Sequence, residues 1–241
     1  MGGASDGSDG METVSKEIIG RMFSALAPRY RWFNRWSSLG MDEAWRRSVV
    51  AELTGCPRVL DLGTGTGDLA WRLQARRSLK SWTVGLDLSF DMLAQARAGG
   101  DGPSPVWVQG SADQLPFRSG SFDGVVSAFV LRNLLVGGIL PAAVRDACRV
   151  LRPGGRLVFL DLTRPTKLWM RWGHGIYTRT FLPLFGRILF GRRWPGSYLA
   201  ASIRALPGPE TFERLFQECG LSGFEYRPLW GGLVSLYLGR K

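Results

Sequence analysis

The stretch Arg58-Val-Leu-Asp-Leu-Gly-Thr-Gly-Thr-Gly-Asp68 decides the fold class of this chain. Its first half is a short apolar run typical of a buried strand. Glycines then occupy alternate positions, Gly63, Gly65 and Gly67, before a helix-like run begins. Glycine accepts the positive φ angles of a tight turn and lets a ligand approach the backbone. A strand, a glycine turn and a helix in this order build the ligand site of an open α/β sheet.

The residues beside these glycines indicate which kind of ligand the turn binds. A dinucleotide-binding turn reads Gly-x-Gly-x-x-Gly and faces a pyrophosphate, but the position of its third glycine holds Asp68 here. Asp61 and Asp68 place carboxylates on both sides of the turn, which suits the sulfonium and ammonium groups of S-adenosylmethionine. The alternative is a plain tight turn in which Asp68 only favours the helix N-terminus.

A further carboxylate ends the next predicted strand, Thr83-Val-Gly-Leu-Asp87. An acidic residue about 20 residues or more beyond a glycine turn, at the tip of the neighbouring strand, accepts the hydroxyl groups of a ribose. Asp87 therefore predicts a nucleoside cofactor, and Asp68 favours S-adenosylmethionine over a nicotinamide dinucleotide. A helix cap for the residues from Ser89 onward is the alternative role of Asp87.

Length and composition describe an ordinary globular chain with a strong positive charge. The 241 residues suffice for one α/β domain with additions. The formal net charge of +11 indicates an anionic partner, either nucleic acid or a bilayer surface. Three scattered cysteines and a single histidine predict neither a disulfide framework nor a metal site. Because we find no run of 18 apolar residues and no signal-peptide order, we expect a cytoplasmic protein with access to the inner face of the membrane.

Strand-like and helix-like runs alternate from Arg58 onward, which predicts a parallel sheet covered on both faces. The last two strands are predicted to form a hairpin around Pro228, which adds an antiparallel strand. Arg152-Pro-Gly-Gly155 is predicted to be a turn. The seven predicted strands are Val59–Leu62, Trp82–Leu86, Val106–Val108, Phe122–Phe129, Leu157–Leu160, Leu221–Arg227 and Leu229–Gly239.

Two helical segments lie outside this alternation, within a single predicted domain over residues 14–241. Residues 14–54 predict amphipathic helices that cover the site, with a break or kink at Pro28, and residues 1–13 are predicted to be disordered. Residues 164–206 predict a basic, aromatic-rich helical insertion before the last two strands. We expect this insertion to cover a hydrophobic substrate or to contact a membrane surface. Helices that merely pack on the sheet are the alternative for both segments.

Several motifs resemble those of class I S-adenosylmethionine-dependent methyltransferases. They are the glycine turn, Asp87, Gln109-Gly-Ser-Ala-Asp-Gln-Leu-Pro-Phe117 before Phe122-Asp-Gly-Val-Val126, and Arg149-Val-Leu-Arg-Pro-Gly-Gly155. Narrower motifs, spread from about Val14 to Lys241, resemble the ubiquinone/menaquinone biosynthesis C-methyltransferases. They are Met22-Phe-Ser-Ala-Leu-Ala-Pro-Arg-Tyr30 with Asn34-Arg35, Asp42 and Trp45-Arg-Arg47, Phe129-Val-Leu-Arg-Asn133, Leu182-Pro-Leu-Phe-Gly186, Tyr198-Leu-Ala-Ala-Ser-Ile203 and Gly231-Gly-Leu-Val234.

This resemblance implies a doubly wound, seven-stranded, mostly parallel sheet that ends in an antiparallel hairpin. It also implies methylation of a ring carbon on a polyprenylated quinol, with S-adenosylmethionine as the cofactor. The quinol is demethylmenaquinol, which we favour, or the methoxy-polyprenyl-benzoquinol precursor of ubiquinone. The family commonly has Asp or Asn at the place of Ser111, so the expected contact with the adenine amino group is weaker here. The predicted cofactor-binding residues are Asp61, Gly63, Gly65, Thr66, Gly67, Asp87, Ser111 and Ala112.

The element that follows the fourth strand carries the predicted catalytic residues, Arg132 and Asn133. A quinol carbon becomes nucleophilic when the adjacent hydroxyl loses its proton, and a nearby cation stabilises the resulting oxyanion. We expect Arg132 to stabilise this phenolate or to orient a water that takes the proton, and Asn133 to hold a quinol oxygen. A surface salt bridge is the alternative for Arg132, and His174 is a weaker candidate for the base.

The predicted partners are a polyprenyl quinol as substrate and an anionic membrane surface, and a homodimer is left open. Methylation of another small hydrophobic acceptor is the alternative activity. The charge also suggests nucleic-acid binding. We disfavour it because the basic residues are interleaved with large apolar ones and no RNA-binding module is found. The intact glycine turn and Asp87 argue against a scaffold without activity.

Overall fold

The structure is a computed structural model that describes residues 15–76, 81–100, 102–165, 168–191 and 196–241. The predicted disordered N-terminus, residues 1–13, lies outside the described residues. So do Arg192 and Arg193 of the predicted insertion and the side chain of His174.

A seven-stranded sheet forms the centre of the described chain. Its strands are β1 (Arg58–Leu62), β2 (Trp82–Asp87), β3 (Val106–Gln109), β4 (Phe122–Ala128), β5 (Leu151–Leu162), β6 (Ser222–Leu229) and β7 (Val234–Arg240). Their order is β3-β2-β1-β4-β5-β7-β6. The first five strands pair in parallel, and β7 runs antiparallel between β5 and β6. The prediction of a doubly wound, mostly parallel sheet with a C-terminal antiparallel hairpin is confirmed.

Ten α-helices are described around this sheet. They are α1 (Lys16–Ser37), α2 (Asp42–Glu52), α3 (Asp68–Ala75), α4 (Phe90–Arg97), α5 (Leu131–Val136), α6 (Leu140–Val150), α7 (Leu168–Ile176), α8 (Leu182–Phe190), α9 (Gly196–Ala205) and α10 (Pro209–Glu218). Successive strand residues pack on opposite faces of the sheet. Leu60 and Phe159 join a buried cluster with side chains of α5, α6 and α10, and Val59 and Val158 join a second one with α2 and α3.

Two local predictions about the last strands are wrong. Arg152-Pro-Gly-Gly155 lies within β5, because this strand begins directly after α6 at Leu151. Pro228 lies within β6 opposite Ser235, and a short 3₁₀ turn over Trp230–Gly232 makes the hairpin connection. A proline is tolerated in β6 because this strand is at the edge of the sheet, where one side of the backbone needs no donor.

The helical insertion packs against α1 through aromatic rings. A π-helical turn over Tyr177–Phe181 joins α7 to α8, and the ring centroids of Phe33 and Phe185 are 6.0 Å apart. The Tyr177 hydroxyl also donates a hydrogen bond to the Ser37 carbonyl oxygen. Helix α1 continues through Pro28, so the predicted break does not occur there. None of the described helices has both the length and the apolar composition needed to cross a bilayer.

Candidate active site

The carboxyl ends of the central strands and helix α1 enclose a cleft with about 1020 Å³ of empty space, open solvent included. The strand order reverses between β1 and β4, and open α/β sheets bind ligands at such a point. All of the predicted cofactor-binding residues except Gly67 line this cleft.

The glycine turn presents bare backbone to the cleft. Gly63, Gly65 and Gly67 have φ angles of +68°, +55° and +78°. A Cβ on Gly63 would come 2.6 Å from Val130, whereas a Cβ on Gly65 would meet no atom within 4 Å. Gly65 therefore leaves open space beside the turn. A Cβ on Gly67 would come 2.7 Å from the Trp107 ring, so this glycine is required for packing.

Asp87 at the end of β2 connects the turn to the next loop. Its Oδ2 accepts the Gly65 N–H at 2.8 Å, and its Oδ1 accepts the Ser89 N–H at 2.9 Å. Burial raises the pKa of Asp87, and the backbone hydrogen bonds oppose that rise. A carboxylate has about four acceptor positions, so Asp87 has capacity left for the two hydroxyl groups of a ribose. The Ser89 hydroxyl caps α4 by accepting the Met92 N–H, so the alternative cap role belongs to Ser89.

Asp61 at the end of β1 is a buried carboxyl beside the turn, with 2% of its surface exposed. Burial raises the pKa of Asp61 to about 7, in spite of a 2.6 Å hydrogen bond that it accepts from Thr64 Oγ1. A cationic ligand in the cleft would favour the ionised carboxylate. This geometry fits the positively charged end of S-adenosylmethionine.

Asp68, the other predicted acidic flank, is paired with a residue of α1. Arg31 Nε lies 3.1 Å from Asp68 Oδ1, and Arg31 Nη2 donates to the Thr66 carbonyl oxygen at 2.9 Å. From its position beside the turn, Asp68 was predicted to favour a cationic ligand. In the structure Asp68 lines the cleft and also forms this ion pair with a protein cation, whereas no described ion pair involves the buried Asp61.

Ser111 and Ala112 lie in the loop after β3 and line the cleft at the side of Asp87. The Ser111 hydroxyl donates to Asp113, whose other oxygen is 3.0 Å from Lys16 Nζ at the start of α1. Ser24 and Ser89 join α1 to α4 through a 2.7 Å hydrogen bond between their hydroxyls. Helix α1 is therefore tied to the loops beside the cleft at its start and near its middle.

A second cavity with about 1300 Å³ of empty space, open solvent included, adjoins the cleft. Its walls come from α1, α2, α5, the end of β5, the helical insertion and the loops after β4 and before β7. They are largely apolar, with Phe33, Trp45, Met170 and Ile203 among them. Four residues line both spaces, and we call them the junction. The junction residues are Tyr30, Asn34, Arg46 and Phe129.

The two predicted catalytic residues line different spaces. Arg132 lines the second cavity, and Asn133 lines the cleft. Arg132 is 5% exposed, and its Nε is 2.5 Å from Oδ1 of the fully buried Asp161, so the alternative of a surface salt bridge is wrong. Arg132 Nη1 is buried without a hydrogen-bond partner among the described residues. Asn133 Oδ1 accepts the Tyr198 hydroxyl at 2.9 Å.

The junction residues and Asp161 were not among the predicted site residues. Tyr30, Asn34 and Arg46 belong to the N-terminal motifs of the resemblance, which was the one signal that singled them out. Burial raises the pKa of Tyr30, and the charges of Arg132 and Arg46 and a hydrogen bond from Asn34 oppose that rise. Both cations therefore act electrostatically on the same phenol.

The sheet order and the cleft define the class of this protein. A solved S-adenosylmethionine-dependent methyltransferase from Thermotoga maritima has the same fold, with a TM-score of 0.61 at 18% identity over 91% of this chain and 99% of that one. The fold is therefore that of S-adenosylmethionine-dependent methyltransferases, and the residues around the turn fit that cofactor.

Sequence comparison then identifies the family. The model of the ubiE/COQ5 methyltransferase family matches residues 11–241, and the chain belongs to that family. It is 35% identical to the demethylmenaquinone methyltransferase of Roseiflexus castenholzii, over 93% of this chain and 94% of that one. It is 38% identical to the demethylmenaquinone methyltransferase of Thermus thermophilus, over 90% of this chain and 99% of that one.

Proposed function

We propose that this enzyme methylates a ring carbon of a polyprenylated quinol and converts demethylmenaquinol into menaquinol. The observation that carries the proposal is the large apolar cavity that shares a wall with the cofactor cleft. An isoprenoid quinol needs mostly apolar walls with a few placed polar groups, and the second cavity has this composition. The names of the relatives from Roseiflexus castenholzii and Thermus thermophilus support the same substrate.

The chemistry requires an ionised hydroxyl next to the reacting carbon. The quinol hydroxyl first loses its proton, and the oxyanion makes the neighbouring ring carbon nucleophilic. A carbon–carbon bond then forms to the transferred methyl group, while the methyl–sulfur bond breaks and its electron pair stays on sulfur. The ring carbon finally loses its proton and the oxygen regains one, so one proton is released for each methyl group transferred. When bound, S-adenosylmethionine supplies this methyl group in an electrophilic form.

The residues of the cleft suit the parts of the cofactor. We assign the ribose hydroxyls to Asp87, the cationic end to Asp61, and the adenine side to Ser111 and Ala112. The turn residues Gly63, Gly65 and Thr66 supply backbone close to the ligand. Gly67 does not line the cleft, but its positive φ maintains the turn and its missing Cβ leaves room for Trp107.

Arg132 and Asn133 act from the two sides of the junction. The buried Nη1 of Arg132 has no protein acceptor among the described residues, and leaving such a donor unsatisfied is unfavourable. We assign this N–H group to a quinol oxygen in the second cavity. Asn133, whose Oδ1 is bonded to Tyr198, holds α9 against the cleft and keeps its amide N–H₂ for the substrate or cofactor.

Incubation with S-adenosylmethionine labelled in the methyl group tests the proposed function. We expect label in demethylmenaquinol, none in tRNA, and menaquinol as the product by mass spectrometry. Label in a different small hydrophobic acceptor, with demethylmenaquinol unlabelled, would contradict the substrate assignment. Cells that lack the protein should accumulate the unmethylated quinone.

We further propose that an anionic membrane surface is the second partner. The described parts of residues 15–54 and 164–206 contribute to the lining of the second cavity, and these two segments expose large apolar side chains at helical spacing. Leu39, Trp169 and Trp172 are 71%, 72% and 75% exposed, and the first two also line the second cavity. A long isoprenoid tail could thus pass from a bilayer into the cavity along an apolar path.

Charge supports the choice of an anionic surface. The segments 29–41 and 168–191 contain no acidic residue, and they carry the exposed arginines Arg29, Arg35, Arg171, Arg179 and Arg187. Each basic residue near an anionic bilayer contributes about 1 kcal/mol to binding. Trp and Arg side chains also suit the headgroup region of a membrane.

Vesicle flotation tests this contact. We expect the protein to float with vesicles that contain phosphatidylglycerol. With vesicles of phosphatidylcholine alone, the protein should stay at the bottom of the gradient. Replacing Trp169 and Trp172 by Ser should abolish flotation, while Phe90→Ser, which removes an exposed apolar residue of α4, should not. Equal flotation of the two variants would contradict the proposed surface.

A further inference from the structure

The junction is where the cofactor and the substrate must meet, because its residues line both the cleft and the second cavity. The reacting carbon has to approach the transferred methyl group, so it must lie at this boundary. The oxygen on the neighbouring ring carbon then lies at the boundary as well. The second quinol oxygen, across the ring, lies farther into the second cavity.

Arg46 is the one charged side chain among the described residues that line both spaces. It is 5% exposed, it forms an ion pair with Asp42, and its guanidinium lies 5.7 Å from the centroid of the Phe129 ring. Asp42 also accepts the Ser38 hydroxyl at 2.8 Å. These contacts fix the guanidinium before any ligand arrives, which is the condition for strong electrostatic stabilisation.

The backbone of Phe129 is itself held in an unusual conformation. Its φ is +64°, in the left-handed region that bulky residues avoid. Its N–H donates to the Leu160 carbonyl oxygen at 2.7 Å, which keeps the residue at the end of β4. Conformations of this kind persist where the surrounding structure imposes them, often at functional sites. Here the result is an aromatic face placed against Arg46.

Arg132 occupies a different place. It lines the second cavity but not the cleft, so its free N–H group suits the quinol oxygen across the ring. Ionisation of that distant oxygen would not activate the carbon that receives the methyl group. The activating oxyanion therefore needs another cation, and Arg46 lies at the right boundary.

We propose that Arg46 is a catalytic residue that stabilises the oxyanion next to the methylated carbon. This inference rests on the proposed function, since it needs a quinol in the second cavity. The charge of Arg46 extends into the cleft: burial raises the pKa of Asp61, and the Thr64 hydrogen bond and then the Arg46 charge oppose that rise. Asp42 moderates the field of Arg46 and orients its guanidinium, so Asp42 is a positioning residue.

The pH dependence of kcat tests this inference. Without the cation the bound quinol ionises less readily. We therefore expect Arg46→Met to lower kcat at pH 7 about a hundredfold and to move the acidic limb of the kcat profile up by at least one pH unit. Asp42→Asn removes the counter-charge and should move the same limb down. Arg46→Lys keeps a positive charge. Its kcat at pH 7 and the position of its acidic limb should lie between those of the wild type and those of Arg46→Met.

The matched control is Arg47→Met. Arg47 is the next residue of α2, and its side chain is 60% exposed, with Glu43 at 4.0 Å. We expect this variant to keep the kcat and the pH profile of the wild type. Quinols with electron-withdrawing substituents ionise more readily. With such substrates the ratio of the wild-type kcat to the Arg46→Met kcat should become smaller. Affinity for S-adenosylhomocysteine should change less than threefold in all variants.

The outcomes separate the inference from the proposed function. A wild-type enzyme that leaves demethylmenaquinol unmethylated would refute the proposed function. An active wild type whose pH profile is unchanged in Arg46→Met would refute the role of Arg46, as would a rate loss independent of substrate acidity. If Arg46→Met does not fold, Arg46→Lys and Asp42→Asn provide the test. The acidic limb should move to higher pH in Arg46→Lys and to lower pH in Asp42→Asn, and structural damage would not move it in both directions.

Discussion

The charge of Asp61 yields the sharpest test of the cofactor site. Asp61 is buried beside the glycine turn, and burial raises its pKa to about 7. A ligand with a cationic end binds the carboxylate form, so binding must drive a proton off Asp61 when the pH lies below 7. Affinity for S-adenosylmethionine should therefore fall as the pH falls.

The magnitude follows from the ionised fraction. With a pKa of about 7, Asp61 is half ionised at pH 7, and about 3% is ionised at pH 5.5. The dissociation constant should rise about fifteenfold over this interval, which corresponds to about 1.6 kcal/mol. The α-amino group of the ligand has a pKa near 8 and stays protonated throughout, so it does not contribute.

Asp61→Asn is the perturbation that isolates this effect. The amide oxygen can still accept the Thr64 hydroxyl, which is 2.6 Å away in the wild type, while the charge is lost. We expect titration calorimetry to give about tenfold weaker binding at pH 7 and a nearly flat dependence on pH. A variant that keeps the fifteenfold dependence would refute the reasoning.

The same residue should lower the stability of the ligand-free protein. Its pKa is raised from 3.8 to about 7, so the folded state holds a proton that the unfolded state releases. Stability then falls as the pH rises from about 4 to 7, by up to about 4 kcal/mol. Without ligand, Asp61→Asn should resist urea better than the wild type at pH 8, with the difference shrinking toward pH 4. A less stable variant at pH 8 would contradict this sign.

Three further predictions concern packing and ion pairs. Gly67→Ala should lose about 1–3 kcal/mol of unfolding free energy, because its φ is +78° and its Cβ would lie 2.7 Å from an indole ring; unchanged urea unfolding would contradict this. Arg31→Ala removes a half-exposed ion pair with Asp68, which holds α1 against the glycine turn and contributes roughly 0–1 kcal/mol. If all of this free energy holds the ligand in place, bound S-adenosylhomocysteine should dissociate up to about fivefold faster, as measured by stopped flow. Arg132→Met leaves Asp161 buried without its cation and should cost about 3–5 kcal/mol; adding Asp161→Leu should recover part of this loss, and no recovery would refute the pairing.

The sheet could be predicted from the sequence because its signals are local. The alternating apolar runs, the glycine turn and Asp87 are each recognised from residues that are near one another in the sequence. Asp61 and Asp87 both lie at the ends of their strands, as predicted. Predictions failed where tertiary context overrides local preference. Pro228 usually signals a turn, yet it pairs with Ser235 because β6 is an edge strand.

The site was harder to predict because its residues meet only after folding. Arg132 and Asp161 lie 29 residues apart, and Arg46 reaches the junction from a helix that precedes the first strand. Neither the pairing of Arg132 with Asp161 nor the approach of Arg46 to the junction produces a periodic pattern in the sequence. The ion pair between Arg31 and Asp68 was not predicted for the same reason, since nothing local indicated that α1 would bring Arg31 to the glycine turn.

Helix α1 explains why this chain needs a long N-terminal segment as well as the common sheet. Its first half faces the cleft, where Lys16 and Ser24 bond to loops of the sheet. Its second half faces the second cavity, where the Phe33 ring packs against the insertion. One rigid element thus borders the cofactor on one side and the substrate on the other. Because Tyr30 and Asn34 of this helix line both spaces, a displacement of α1 that opens the cleft also changes the wall of the apolar cavity.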